Sequence, residues 1–174
     1  MIKLIRSYFF LIFLLVFSAT SSFAQFINIQ LTIEPELSTR IEQSLNFGTQ
    51  VTNSGIKQIN LGDSGMGIFS IKALYTQEVK ISLNYPENLE SLENNAKIPL
   101  DLSISYNNSG RDLPEESILI PNNSSYISIY NREESLNPDQ IWKELFIYVF
   151  GSIDVGAVPN ADYEADVILN VDYN

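Results

Sequence analysis

The sequence predicts an all-β protein, an antiparallel β-sandwich, with a β-barrel as the alternative. Three observations carry that prediction. Apolar side chains recur at every second position in short segments, the segments are separated by Gly, Asn, Asp and Pro turn chemistry, and helical periodicity is nearly absent. Connections between segments are too short for crossover helices, so parallel βαβ units are not expected.

The first 24 residues read as an export signal. Lys3 and Arg6 precede an unbroken apolar run from Tyr8 to Phe17, and Ser22-Phe23-Ala24 places small residues where a signal peptidase inspects them. Cleavage after Ala24 leaves residues 25–174, an ordinary size for one domain. The apolar run is much shorter than the roughly 20 residues a membrane-spanning helix needs. Secretion or cell-surface display is therefore expected, with the periplasm as another destination, and no stable membrane insertion after cleavage.

The first predicted strand has Ile27, Ile29, Leu31 and Ile33 on one face and Asn28, Gln30 and Thr32 on the other, with Pro35 ending it. Leu45-Asn46-Phe47-Gly48 reads as a second short strand. Asn53-Ser54-Gly55 turns the chain into a strand from Ile56 to Leu61. Gly62-Asp63-Ser64-Gly65 turns it again into a strand from Gly67 to Ala73. Val79, Ile81, Leu83 and Tyr85 share the inward face of the next strand. Leu89 and Leu92, in the irregular stretch after Pro86, are spaced for one helical turn.

Leu100, Leu102, Ile104 and Tyr106 alternate with polar residues until Asn107-Asn108-Ser109-Gly110 closes that strand. A loop carrying Asp112, Glu115 and Glu116 contains a brief apolar run from Ile118 to Ile120, and Tyr126 to Tyr130 reads as a strand. Asn137-Pro138-Asp139 has the cap chemistry to start a brief helix with Ile141 and Leu145 on one face. Leu145 to Phe150 has strand composition. Ala165, Val167, Leu169, Val171 and Tyr173 alternate to the end, with Ile168 on the outer face placed to meet a partner or a loop.

Composition narrows the chemistry. There are 10 basic and 21 acidic residues, for a net charge of −11. Both Lys3 and Arg6 lie in the signal and no acid does, so the remainder is more acidic still. Such a surface repels phosphate backbones, and nucleic-acid binding is not expected. Neither Cys nor His occurs. That removes disulfides, thiol catalysis, Cys-ligated metals, the commonest neutral-pH general base and the usual zinc nitrogen ligand.

No catalytic motif survives inspection. Gly-x-Ser-x-Gly is absent, and the turn around Ser64 explains itself as a turn. Glu115-Glu116 and Glu133-Glu134 are adjacent, so on extended chain they point to opposite faces and make no acid–base dyad. Asp162, Glu164 and Asp166 project together from an extended segment, close to Asp154 if the last two strands pair, which would form a weak calcium site. Tyr126, Tyr130, Trp142, Tyr148 and Tyr163 are the rings available for a carbohydrate platform. Asn107, Asn122 and Asn123 fit the glycosylation acceptor pattern, which here marks exposed turns. No catalytic residue, cofactor or metal is expected.

Two regions carry a resemblance. One is Leu45-Asn46-Phe47-Gly48 followed by Gly67-Ile68-Phe69-Ser70-Ile71. The other is Phe150 to Val155 followed by Asp162-Tyr163-Glu164-Ala165 and Val167 to Tyr173. Together they resemble a family of secreted bacterial domains of uncharacterised function, related to fimbrial subunits and spore-coat-like domains. Those domains open with a Leu-x-Phe-Gly strand and close with a Gly-x-Tyr-x-Gly turn and a Val-x-Tyr strand. Ala161 and Ala165 stand where that pattern has glycines around Tyr163.

The resemblance implies an immunoglobulin-like sandwich and a secreted, non-enzymatic structural or adhesion role, with a fimbrial-type subunit as one form of it. It implies a protein partner or self-association, with strand exchange at the chain ends set against two ordinary strands of one complete domain. A carbohydrate-binding module is the alternative function.

Overall fold

The computed structural model describes residues 37–75, 77–129 and 142–174, which all lie in one compact unit. Several expectations fall outside the described residues: the export signal, the Ile27–Ile33 strand, Tyr130, Glu133 and Glu134, and the helix start at Asn137. Within them the secondary structure is ten strands and two short 3₁₀ turns, and every strand pairing is antiparallel.

The strands form two sheets. The larger holds β1 (Ser38–Gln43), β2 (Gly55–Ile59), β3 (Gly67–Leu74), β5 (Asn88–Glu90), β6 (Lys97–Asn107), β7 (Ile118–Ile120) and β9 (Trp142–Val155). Its order is β1-β3-β9-β6-β5, with β2 beside β9 and β7 beside β6. The smaller holds β4 (Glu78–Asn84), β8 (Ser124–Ser128) and β10 (Ile168–Tyr173) in the order β10-β4-β8.

Strand β9 is the spine because its length serves three partners. Its first half pairs with β3 from Trp142↔Leu74 to Val149↔Gly67, and its last residues pair with β2 from Gly151↔Ile59 to Val155↔Gly55. β6 runs along its other side. Where β9 passes β6, a Cβ on Gly151 would stand 2.1 Å from the Asp101 carbonyl oxygen, and the backbone there has φ +155°. Only glycine fits so close an approach.

The inward row of β9 (Leu145, Ile147, Val149, Ile153, Val155) meets the inward rows of β6 (Leu100, Leu102, Ile104) and β4 (Val79, Ile81, Leu83) in one buried cluster. The core is thus filled from both sheets. Alternation is the cause: a pleated strand sends every second side chain to one face, and these are the apolar ones.

A second cluster covers the opposite face of β3 and β9, where Ile68 and Tyr148 are cross-strand partners, and Ile59 and Met66 complete it. The loop after β6 folds over this face. Asn107 Nδ2 donates to the Leu113 carbonyl, the hydroxyls of Ser105 and Ser117 lie 2.9 Å apart, and the Tyr148 hydroxyl donates to Asp112 Oδ1.

Several local expectations are corrected. Leu45-Asn46-Phe47-Gly48 is not a strand. Asn46 Oδ1 accepts from the Gly48 amide and Gly48 takes φ +66°, so the side chain bends the backbone out of a ladder. Leu89 and Leu92 do not share a helical turn. Leu89 pairs with Ile98 in β5, because the edge of β6 offers a ladder, while Leu92 sits on a turn at 84% exposure. β1 has no sequence rhythm to mark it, since Ile41 is its one apolar residue, and pairing to β3 makes it a strand. β9 starts earlier and ends later than the Leu145–Phe150 segment, and β10 starts at Ile168.

Candidate functional site

Two features of the described residues are open to a partner, and neighbouring elements position both. The first is the β10 edge of the smaller sheet. β10 pairs with β4 from Ile168↔Asn84 to Tyr173↔Val79, and no described strand flanks its other side. Its inward residues Leu169, Val171 and Tyr173 are only half-buried. Their neighbours on β4 are sealed: Val79 and Ile81 are 0% exposed.

β10 differs because it is the edge strand of its sheet, and the larger sheet has a half-covered row of its own. Its ordered path is five strands wide against three in the smaller sheet. On β1 and β3, Ile41 pairs with Phe69, and Phe69 pairs with core residue Ile147, so all three share the inward face. Phe69 is half-buried and Ile41 is 64% exposed. Among the described residues, the inward face there lacks the cover that β4 gives further across. The end of β10 is fixed in place, since the Tyr173 hydroxyl accepts from the Leu74 amide and the Asn174 amide donates to the Glu78 carbonyl.

The second feature is a cavity of about 680 Å³ at the end where β9 finishes. Its floor is Leu89, Ile98, Leu100, Ile153 and Val155; its walls are residues 45–52 and 158–165 with Val167. These walls are irregular yet fastened. Thr52 Oγ1 donates to the carbonyls of Gly156 and Val158, and the Asn53 amide donates to Gly156. The Tyr163 hydroxyl donates to the Pro159 carbonyl, and Glu164 exchanges two backbone hydrogen bonds with Glu90.

The residues singled out in the sequence do not assemble. Tyr126 lies on the outer face of β8, with Lys80 Nζ 5.9 Å from its ring centroid. Trp142 opens β9 under Lys72, Tyr148 is fully buried, and Tyr163 lines the cavity. These described rings form no common platform. Burial and the hydrogen bond to Asp112 raise the Tyr148 hydroxyl above the ordinary phenol range. Tyr148 is buried while Asp112, on the loop above it, stays exposed, so their hydrogen bond ties that loop down.

β9 and β10 belong to different sheets, so the pairing that would bring Asp154 to Asp162, Glu164 and Asp166 does not occur. Among the described residues no group of three or more acidic side chains is arranged to hold a metal ion. Asn107 is buried rather than on an exposed turn, because its side chain braces the loop over Tyr148. Among the described residues no helix is long and apolar enough to cross a membrane.

The cavity was not legible in the sequence. Its floor residues read as ordinary core, and its walls come from segments more than a hundred residues apart. The uncovered edge was half legible, through the alternation that ends at Tyr173. Compared with known proteins, the chain matches no family model and no curated sequence.

Proposed function

We propose that this chain is an exported, non-enzymatic structural or adhesion domain with an immunoglobulin-like sandwich, working by contact between a sheet edge and another protein. The observation that carries the reading is the contrast between the sealed inward row of β4 and the half-covered row of β10. An edge strand with unpaired backbone groups and an incompletely covered apolar row is the surface to which an extended segment adds as a further strand. The resemblance to secreted bacterial domains, including fimbrial subunits, points the same way. The reading of residues 1–24 as an export signal supports location outside the cytoplasm.

The test is site-specific photo-crosslinking in the producing cells. A photoreactive residue at Asn170, on the β10 edge, is expected to give a discrete adduct of higher mass. The same residue at Ser82, its partner on β4, is expected to give none. Equal behaviour at the two positions contradicts the proposal. The exported protein is expected to begin at Gln25 by mass; retention of residues 1–24 contradicts the export reading.

A further inference from the structure

The cavity beside the end of β9 has a chemistry of its own, independent of the β10 edge. Its volume of about 680 Å³ falls within the range of small-molecule sites. Its floor is almost dry, with Ile98, Leu100, Ile153 and Val155 all buried. The hydrogen bonds that staple residues 52, 53, 163 and 164 hold both walls in place without a ligand, so the space is preformed.

Charge and rings then select what fits. Among the described lining residues, the charged ones are Asp162 and Glu164, both acidic and exposed, and neither Lys nor Arg lines the space. Each wall also contributes one aromatic ring, Phe47 from one side and Tyr163 from the other. Aromatic faces attract cations through the ring quadrupole, and quaternary ammonium groups are the ligands such walls recognise best. A carboxylate-bearing ligand would meet two like charges and no counter-ion.

We propose that this cavity binds an amphipathic ammonium ligand, its alkyl chain on the floor of Leu89, Ile98, Leu100 and Ile153. The cationic head lies between Phe47, Tyr163 and the carboxylates of Asp162 and Glu164. The acids give preference for a positive head, and the floor supplies most of the contact area.

Titration calorimetry on the full chain tests this with two probes of equal chain length below their micelle concentrations, decyltrimethylammonium and decanoate. The expected result is one-to-one binding of the ammonium probe, at least about tenfold tighter than decanoate. Ala165→Trp, which fills the space, is expected to lower ammonium affinity at least about tenfold. The double variant Asp162→Asn, Glu164→Gln changes only exposed side chains and is expected to fold normally. It should keep ammonium binding but remove most of the preference over decanoate. Equal affinity for both probes in the unaltered chain, no binding of either, or a preference that survives loss of both acids overturns the proposal.

Discussion

Strands β4 and β10 are neighbours with the same two-residue rhythm, and they differ in what lies over them. Val79, Ile81 and Leu83 on β4 face the inward rows of β6 and β9 and are sealed. Leu169, Val171 and Tyr173 on β10 belong to the same sheet, yet each remains half-buried. Alternation in a sequence fixes which side of a strand turns inward. It does not fix whether anything covers that side, because cover depends on whether the strand lies inside its sheet or at its edge.

The largest expected effect lies in the spine that both strands pack upon. Gly151→Ala would press a methyl group into the Asp101 backbone, and a loss of about 3 kcal/mol or more is expected in urea unfolding. On β4, Ile81→Ala should cost about 3 to 4 kcal/mol by emptying a sealed site. On β10, Val171→Ala should cost only about 1 kcal/mol, since its site already borders open space. Equal losses at these two positions would break the comparison.

Tyr173→Phe tests the tie between the sheets. It leaves the Leu74 amide without its phenol acceptor, and a loss of about 1 to 2 kcal/mol is expected. The smallest effect concerns the covered outer face of the larger sheet. The Tyr148 hydroxyl is raised above its ordinary value of 10.0, mainly by burial and then by Asp112. The unfolded chain therefore loses its Tyr148 proton first, and stability should fall as pH rises past 10. Tyr148→Phe should flatten that decline in urea midpoints measured from pH 9 to 11. An unchanged slope would remove Tyr148 from the account.

The sequence made β3, β4, β6 and β10 legible because each has apolar residues at every second position, and their rows do face the core. It concealed β1, whose Ser-Thr-Arg-Ile-Glu-Gln composition has almost no rhythm and which pairing to β3 and the hydrogen bonds of Glu42 and Gln43 hold in place. It misread Leu45-Asn46-Phe47-Gly48, where the spacing of Leu45 and Phe47 imitates a strand while the Asn46 side chain turns the backbone. The cavity stayed hidden for a third reason. Residues 45–52 and 158–165 meet only after β2 and β9 have paired, and that is a fact of topology rather than of local pattern.

Amide hydrogen exchange on the full chain, resolved residue by residue along β4 and β10, tests the central claim most directly. The account predicts uniform slow exchange from Val79 to Leu83, and alternation of slow and fast amides from Leu169 to Tyr173, because among the described residues only one side of β10 is paired. Uniform slow exchange along β10, matching β4, would show that its outer edge is already occupied and would contradict the account.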